Sequence, residues 1–201
     1  MSVQPQDKQG LLSPALARWR LGKVQAHIAP GSRVLDCGCG SGRLCTMLPE
    51  ECSYVGVDLD VSRVPQQLRS RATFISGDLT RAEDRERVRP LGPFDVIVAA
   101  SLLEHLAEPA EMLSGLAPQL SADGRFVITT PSPGIRRLHQ FGGRLGIFSR
   151  HAAAEHEVLL DREGLLCVAG KANLEVVVYE TFQWGLNQLA VLQPAKGSTE
   201  G

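Results

Sequence analysis

The sequence predicts an α/β fold: one largely parallel sheet of seven strands, helices on both of its faces, and an antiparallel pair at the end. Three observations predict it. Short Val- and Ile-rich runs, the mark of strands covered on both faces, recur around residues 34–36, 54–58, 72–76, 94–100, 125–131, 174–180 and 187–192. Helical patterns separate most of these runs. The last two are joined only by Thr181 to Leu186, too short for a crossover helix, so they must pair antiparallel.

The elements follow in order. Ser13-Pro14 starts a helix as N-cap and first-turn proline. Leu16, Trp19, Val24 and Ile28 form its apolar face, and Pro30-Gly31 stops it. The first strand ends at Asp36, and glycines follow at every second position, Gly38, Gly40 and Gly42. Glycine is required where the backbone takes φ > 0 or passes close to a ligand. Leu44, Met47 and Leu48 then predict a helix whose N-terminal amides face that ligand. Tyr54 to Asp58 is the second strand. Pro65 keeps the next helix short, and Ala72 to Ser76 is the third strand, followed by Gly77-Asp78-Leu79. Residues 81–90 mix arginine with Glu83, Asp84 and Glu86 as a solvated helix. Phe94 to Ala100 is the fourth strand, a helix spans Pro109 to Leu120, and Ala122-Asp123-Gly124 turns into a fifth strand, Arg125 to Pro131. A helix from Asp161 to about Gly170 precedes the terminal hairpin.

The chain of 201 residues suits one domain, set at 11–193, with a disordered tail over 1–10 and a loose one over 194–201. A formal net charge of −1 excludes a general nucleic-acid binder, which carries a basic excess. No apolar run nears the roughly 20 residues that span a bilayer. The polar start lacks a signal-peptide core, and a cytoplasmic protein is expected. Five cysteines, odd in number and without Cys-x-x-Cys, fit a reducing compartment. Their spacing matches no zinc pattern, so no metal is expected. Within 134–157, Ile135, Leu138, Phe141, Leu145 and Phe148 share one helical arc, and four glycines interrupt it. Each glycine costs about 1 kcal/mol relative to alanine in a helix. This stretch is read as an amphipathic substrate cover, with contact to a membrane surface as the alternative.

The ligand of the glycine turn follows from its spacing. A dinucleotide fingerprint, Gly-x-Gly-x-x-Gly, would need its third glycine where Arg43 stands. Asp36-x-Gly38-x-Gly40-x-Gly42 instead places an acid before the turn, which repels a pyrophosphate and suits an ammonium group. Asp58 stands at roughly the 20-residue offset from which an acid holds ribose hydroxyls, with Leu59 beside it for the adenine face.

Together with Phe94-Asp95-Val96-Ile97 and Glu104-His105-Leu106, this set resembles the class I S-adenosylmethionine (SAM)-dependent methyltransferases. Within them it is similar to the small-molecule branch that includes the O-methyltransferases of ubiquinone biosynthesis. The resemblance implies a Rossmann-like seven-stranded sheet with SAM lying across the carboxyl ends of the first strands. It assigns Asp36, Gly38, Cys39, Gly40, Asp58, Leu59, Asp78, Leu79, Ala100 and Ser101 to the cofactor, with Asp78 receiving the adenine amino group. Arg18, Arg20 and Lys23 on the first helix are placed to meet the methionine carboxylate. A hydroxyl acceptor also needs a base. His156, which resembles a histidine that relatives carry after their substrate loop, and His105 are the candidates. The expected activity is O-methylation of a small molecule or of a glycan- or lipid-linked intermediate. The rival readings are a nicotinamide-dependent oxidoreductase and a catalytically silent SAM-binding regulatory protein.

Overall fold

A computed structural model describes residues 13–133 and 160–195. Seven strands, β1 (Arg33–Cys37), β2 (Ser53–Asp58), β3 (Thr73–Ser76), β4 (Phe94–Ala100), β5 (Leu120–Pro131), β6 (Leu174–Phe182) and β7 (Asn187–Pro194), form one sheet in the order β3-β2-β1-β4-β5-β7-β6. The first five run parallel, and β7 lies antiparallel between β5 and β6. The helices are α1 (Ser13–Gln25), α2 (Gln66–Arg69), α3 (Ala82–Val88), α4 (Pro109–Leu116) and α5 (Arg162–Lys171).

Strand side chains alternate between the faces, and the core divides accordingly. Leu35, Ile97, Phe126 and Ile128 pack with Leu113 and Leu116 of α4 and Leu165 of α5 on one face. Val34, Val96, Val98 and Val127 pack with Val24 of α1 and Ile28 on the other. Both faces of the central strands are therefore dry, which is why these strands read as unbroken apolar runs.

The structure departs from the sequence reading at five places. Residues 39–50 after the glycine turn form successive three-residue turns and no α-helix, with Thr46 N–H donating to Arg43 O (3.2 Å) and Met47 N–H to Leu44 O (2.9 Å). Gly42 at φ 75° cannot start a right-handed helix, and the Thr46 hydroxyl bonds back to Arg43 O, competing with helical bonding. Leu44 and Leu48 are still buried; the periodicity recorded burial. The predicted turn at 122–124 is a bulge inside a longer β5. Phe94 pairs with Leu120 and Val96 with Arg125, while the Asp95 carboxylate accepts from Ser121 Oγ (2.9 Å) and Arg33 N–H (2.8 Å). α4 accordingly ends at Leu116, passing into a 3-10 turn. Trp19 leaves the core and meets Trp184 edge to face, with ring centroids 5.6 Å apart. Finally, Pro194 pairs with Leu174, and Ala195 N–H donates to Asn173 O (3.1 Å), so the sheet extends past 193. The predicted tail at 1–10 and the substrate cover at 134–157 lie outside the described residues.

Gly56 of β2 lets the glycine turn settle onto the sheet: a Cβ there would stand 2.9 Å from both Cys39 Sγ and Phe74 Cδ1. Overpacking of this kind costs about 1–3 kcal/mol. Gly56→Ala is expected to lower the urea midpoint by that equivalent with an unchanged m-value, measured by equilibrium denaturation.

Candidate functional site

The cleft forms where the carboxyl ends of β1 and β2 meet the start of the chain after β3 and the segment after β4. Gly38, Gly40 and Gly42 take φ of 74°, 54° and 75°, a conformation that costs other residues strain. The turn is laid over the end of β2 by Gly38 N–H and Cys39 N–H, both donating to Val57 O (2.8 and 3.1 Å). Gly40 N–H donates to Asp58 Oδ2 (2.7 Å). The glycines differ in what their missing side chains would meet. A Cβ at Gly38 would approach Leu102, and one at Gly42 would press on Leu68 and Phe74, but one at Gly40 would enter open space.

A cleft of about 580 Å³ has walls that include Gly38, Asp58, Leu59, Asp78, Leu79 and His105, within the usual range for small-molecule sites. Asp58 is half-buried, and its Oδ1 also accepts from Asp60 N–H (3.2 Å). Each carboxylate oxygen has two lone-pair positions, so Asp58 retains capacity for two further donors. Leu59, 73% exposed, is an apolar surface beside it. Asp78 Oδ1 is taken by Thr80 N–H (3.0 Å) and Thr80 Oγ1 (2.7 Å), leaving Oδ2. Two open acceptor positions at Asp58, an apolar plate at Leu59 and a remaining acceptor at Asp78 match the sugar hydroxyls, ring face and exocyclic amine of an adenosine. The residues present therefore fit the nucleoside half of SAM.

Other predicted residues sit elsewhere. Asp36 is beneath the turn, 3% exposed, and its Oδ2 accepts from the Tyr54 hydroxyl. Burial pushes its carboxyl up to about 7, against the pull of the Tyr54 hydrogen bond. It does not line the cleft. Cys39 packs under the same turn, its thiol pushed up to about 12, chiefly by burial; it is a neutral filler. Ala100 and Ser101 lie at the end of β4. Ser101 is held at φ 54°, its N–H donating to Thr129 O (2.8 Å). His105, on the 3-10 turn Leu103–His105, is exposed on the cleft wall. His156 lies outside the described residues. Lys23 of α1 is engaged with Glu180 of β6 (3.1 Å). Among the described residues no group of three or more His, Cys, Asp and Glu side chains could hold a metal ion.

Three contributors escape the sequence reading. Tyr54 is diagonal to Asp36 across β1 and β2, since Val34 pairs with Tyr54 and Asp36 with Gly56; strand period and register are the signal. Thr80 is marked by the Asp-x-Thr spacing of a side-chain turn. Leu102, whose side chain fills the space over Gly38, has no signal beyond its place after a strand end.

A family model described as a methyltransferase domain matches residues 9–179. The ubiquinone biosynthesis O-methyltransferase of Bradyrhizobium diazoefficiens is 31% identical over 102 residues, covering 50% of this chain and 40% of that protein. The tRNA U34 carboxymethyltransferase of Aeromonas salmonicida is 32% identical over 123 residues, covering 56% and 36%. The chain thus spans two-fifths or less of the length of these two relatives. A TehB-like SAM-dependent methyltransferase from Corynebacterium glutamicum superposes with a TM-score of 0.61 at 21% identity, covering 90% of this chain and 96% of that one, a likeness of fold. With the glycine turn, the Asp58 cradle and a sheet whose β7 is inserted antiparallel beside β5, the match over most of its length makes this chain a member of the class I SAM-dependent methyltransferases.

Proposed function

We propose that the chain transfers the methyl group of SAM to a hydroxyl of a small molecule. The observation that carries the cofactor half is the cleft at Asp58, lined also by Gly38, Leu59 and Asp78. The acceptor half rests on the likeness to an O-methyltransferase and on the carboxyl edge of β4 and β5, which supplies hydroxyl and carboxylate side chains. The relatives lend no support to a glycan- or lipid-linked acceptor.

Within this reading the side chains divide the work. Asp58 accepts the two ribose hydroxyls and is itself aimed by the Gly40 amide. Leu59 covers one face of the adenine, and Asp78 receives its amino group. Asp36 supplies negative charge beneath the amino-acid end. Of the basic residues on α1, Lys23 is engaged with Glu180, and Arg20 is near Glu104. When bound, SAM supplies a methyl group on a sulfonium, a leaving group that needs no acid. What remains for the protein is alignment of the acceptor, worth several kcal/mol of the barrier, and removal of the hydroxyl proton.

Radiolabelled methyl transfer from SAM to a panel of phenols and alcohols, with S-adenosylhomocysteine (SAH) as the co-product, tests the reading. Binding of SAH with no turnover on any hydroxyl acceptor would favour a silent SAM-binding protein. Asp58→Ala is expected to weaken SAH binding more than tenfold by calorimetry, because two hydroxyls lose their buried acceptor.

Asp36 gives a pH test. Its folded value of about 7 lies above the ordinary 3.8, so the folded protein holds this proton more tightly than the unfolded chain. Its contribution is favourable at low pH and is lost as pH rises from about 4 to 7, levelling above. Guanidinium denaturation at pH 5 and pH 8 is expected to show a smaller difference in Asp36→Asn than in the wild type. Because an ammonium group favours the ionised carboxyl, SAH affinity should strengthen over the same window and lose that dependence in the variant.

A further inference from the structure

At the carboxyl edge of β4 and β5 the protein buries polar groups without pairing them. Among the described residues, Ser101 Oγ, Glu104 Oε2, Thr129 Oγ1 and Thr130 Oγ1 are all shielded from solvent and have no hydrogen-bond partner. Ala100 pairs with Thr129 across the strands, Ser101 N–H binds Thr129 O, and Glu104 follows on the 3-10 turn after β4 with Thr130 beside its carboxyl; Thr129, consecutive with Thr130 on β5, points to the opposite face of the sheet. Glu104 is only 2% exposed. Each unpaired buried group costs about 1–3 kcal/mol, more when charged, and folded proteins keep few of them. A cluster at the edge where open α/β sheets bind ligands is therefore the mark of an absent partner.

The chemistry of the partner follows from what is missing. An ionised Glu104 only accepts hydrogen bonds, and the three hydroxyls already supply both donors and acceptors. What Glu104 Oε2 can take from a bound molecule is an O–H or N–H donor. Arg20 of α1 faces Glu104 closely enough for the two charges to feel each other, but it makes no ion pair with it. His105, the neighbouring titratable side chain, is exposed on the cofactor cleft instead. Burial also raises the Glu104 carboxyl above the ordinary range, while its own backbone N–H and the nearby Thr130 hydroxyl, and then the charges of His105 and Arg20, pull it back; the net rise is toward the pH at which a general base works.

We propose that Glu104 is the proton acceptor for methyl transfer, and that Thr130 beside it and Ser101 at the end of β4 seat the hydroxyl being methylated. The assignment rests on the O-methylation reading above. The acceptor's O–H proton passes to the Glu104 carboxylate as its oxygen takes the methyl group. The C–S bond breaks with its electron pair remaining on sulfur, leaving a neutral thioether. The proton then leaves Glu104 for water, so one hydroxyl and one sulfonium become an ether, a thioether and a proton.

Glu104→Gln tests this in two ways. Glutamine is isosteric, removes the buried charge and brings N–H donors of its own. If the carboxylate is kept for chemistry at the expense of stability, Tm rises, by about 2–4 °C for each kcal/mol regained in a chain of this size, while the SAH Kd stays within twofold. If Glu104 is a structural residue, Tm falls, and the proposal is overturned. On whichever phenol or alcohol of the panel the wild type methylates, kcat/KM is expected to rise with pH through the Glu104 ionisation. In Glu104→Gln it should drop at least 100-fold and lose that limb. A drop of less than threefold would also overturn the assignment. Failure of the wild type to methylate any hydroxyl would remove the O-methylation reading and this base with it, whereas SAH binding and the Tm comparison would still separate a functional carboxylate from a structural one.

Discussion

The hydrogen bond from the Gly40 amide to the Asp58 carboxylate, 2.7 Å long, is the constraint on which the cleft depends. It joins the turn after β1 to the end of β2, and the two bonds onto Val57 O lay the turn flat beside it. None of this is reachable unless the chain passes through left-handed φ at alternate residues, or unless Gly56 leaves room for Cys39 beneath. In return the turn fixes the Asp58 carboxylate before any ligand arrives. A carboxylate already oriented loses less freedom when it accepts ribose hydroxyls. The same residue thus serves the fold and the ligand, with half of its lone pairs given to each.

Two buried carboxyls divide the site between its donor and acceptor sides. Asp36 sits on the α1 face under the turn and is satisfied by Tyr54. Glu104 sits past β4 with one oxygen unpaired. Both are pushed upward by burial, yet only one has its partner within the protein. That asymmetry, more than the raised ionisation they share, separates a carboxyl that shapes local charge from one that waits for something to bind.

Much of this was legible in the sequence, and the failures share a cause. The strands read correctly because burial on both faces writes itself as unbroken apolar runs, and the hairpin because six residues cannot hold a crossover. Asp58, Leu59, Asp78 and Leu79, singled out from the offset after the glycine turn and from the family resemblance, line one cleft because β2 and β3 end side by side. The segment after the turn was misread because Leu44, Met47 and Leu48 repeat at helical spacing. What their spacing reported was which residues face the core, and Gly42 with the Thr46 back-bond chose turns instead. The glycine at 124 marked a bulge inside a strand because the reason lay across the sheet, in the Asp95 carboxylate. Glu104 drew attention only as a neighbour of His105. Its burial, and the Thr130 hydroxyl beside it, depend on where β5 is laid, which no local pattern records.

The hairpin after β6 shows how the acceptor side is held. Gln183, Trp184 and Gly185 all take left-handed φ, and for the two non-glycine residues that conformation costs of order 1–3 kcal/mol each. Neighbours over-determine it. Gln183 Nε2 donates to Leu16 O of α1 (2.7 Å), and Asn187 Nδ2 donates to Gln183 Oε1 (2.6 Å). Ser132 N–H and its hydroxyl bind Leu186 O and Gly185 O. Because β7 runs antiparallel to β5, this hairpin falls at the same edge as Ser101 and Thr129. The strained loop ties α1, β5 and β7 together there. On the proposed reading this is the acceptor edge, and a rim fixed in this way would serve the alignment that methyl transfer requires. The strain is borne at the edge of the sheet where α1, β5 and β7 meet.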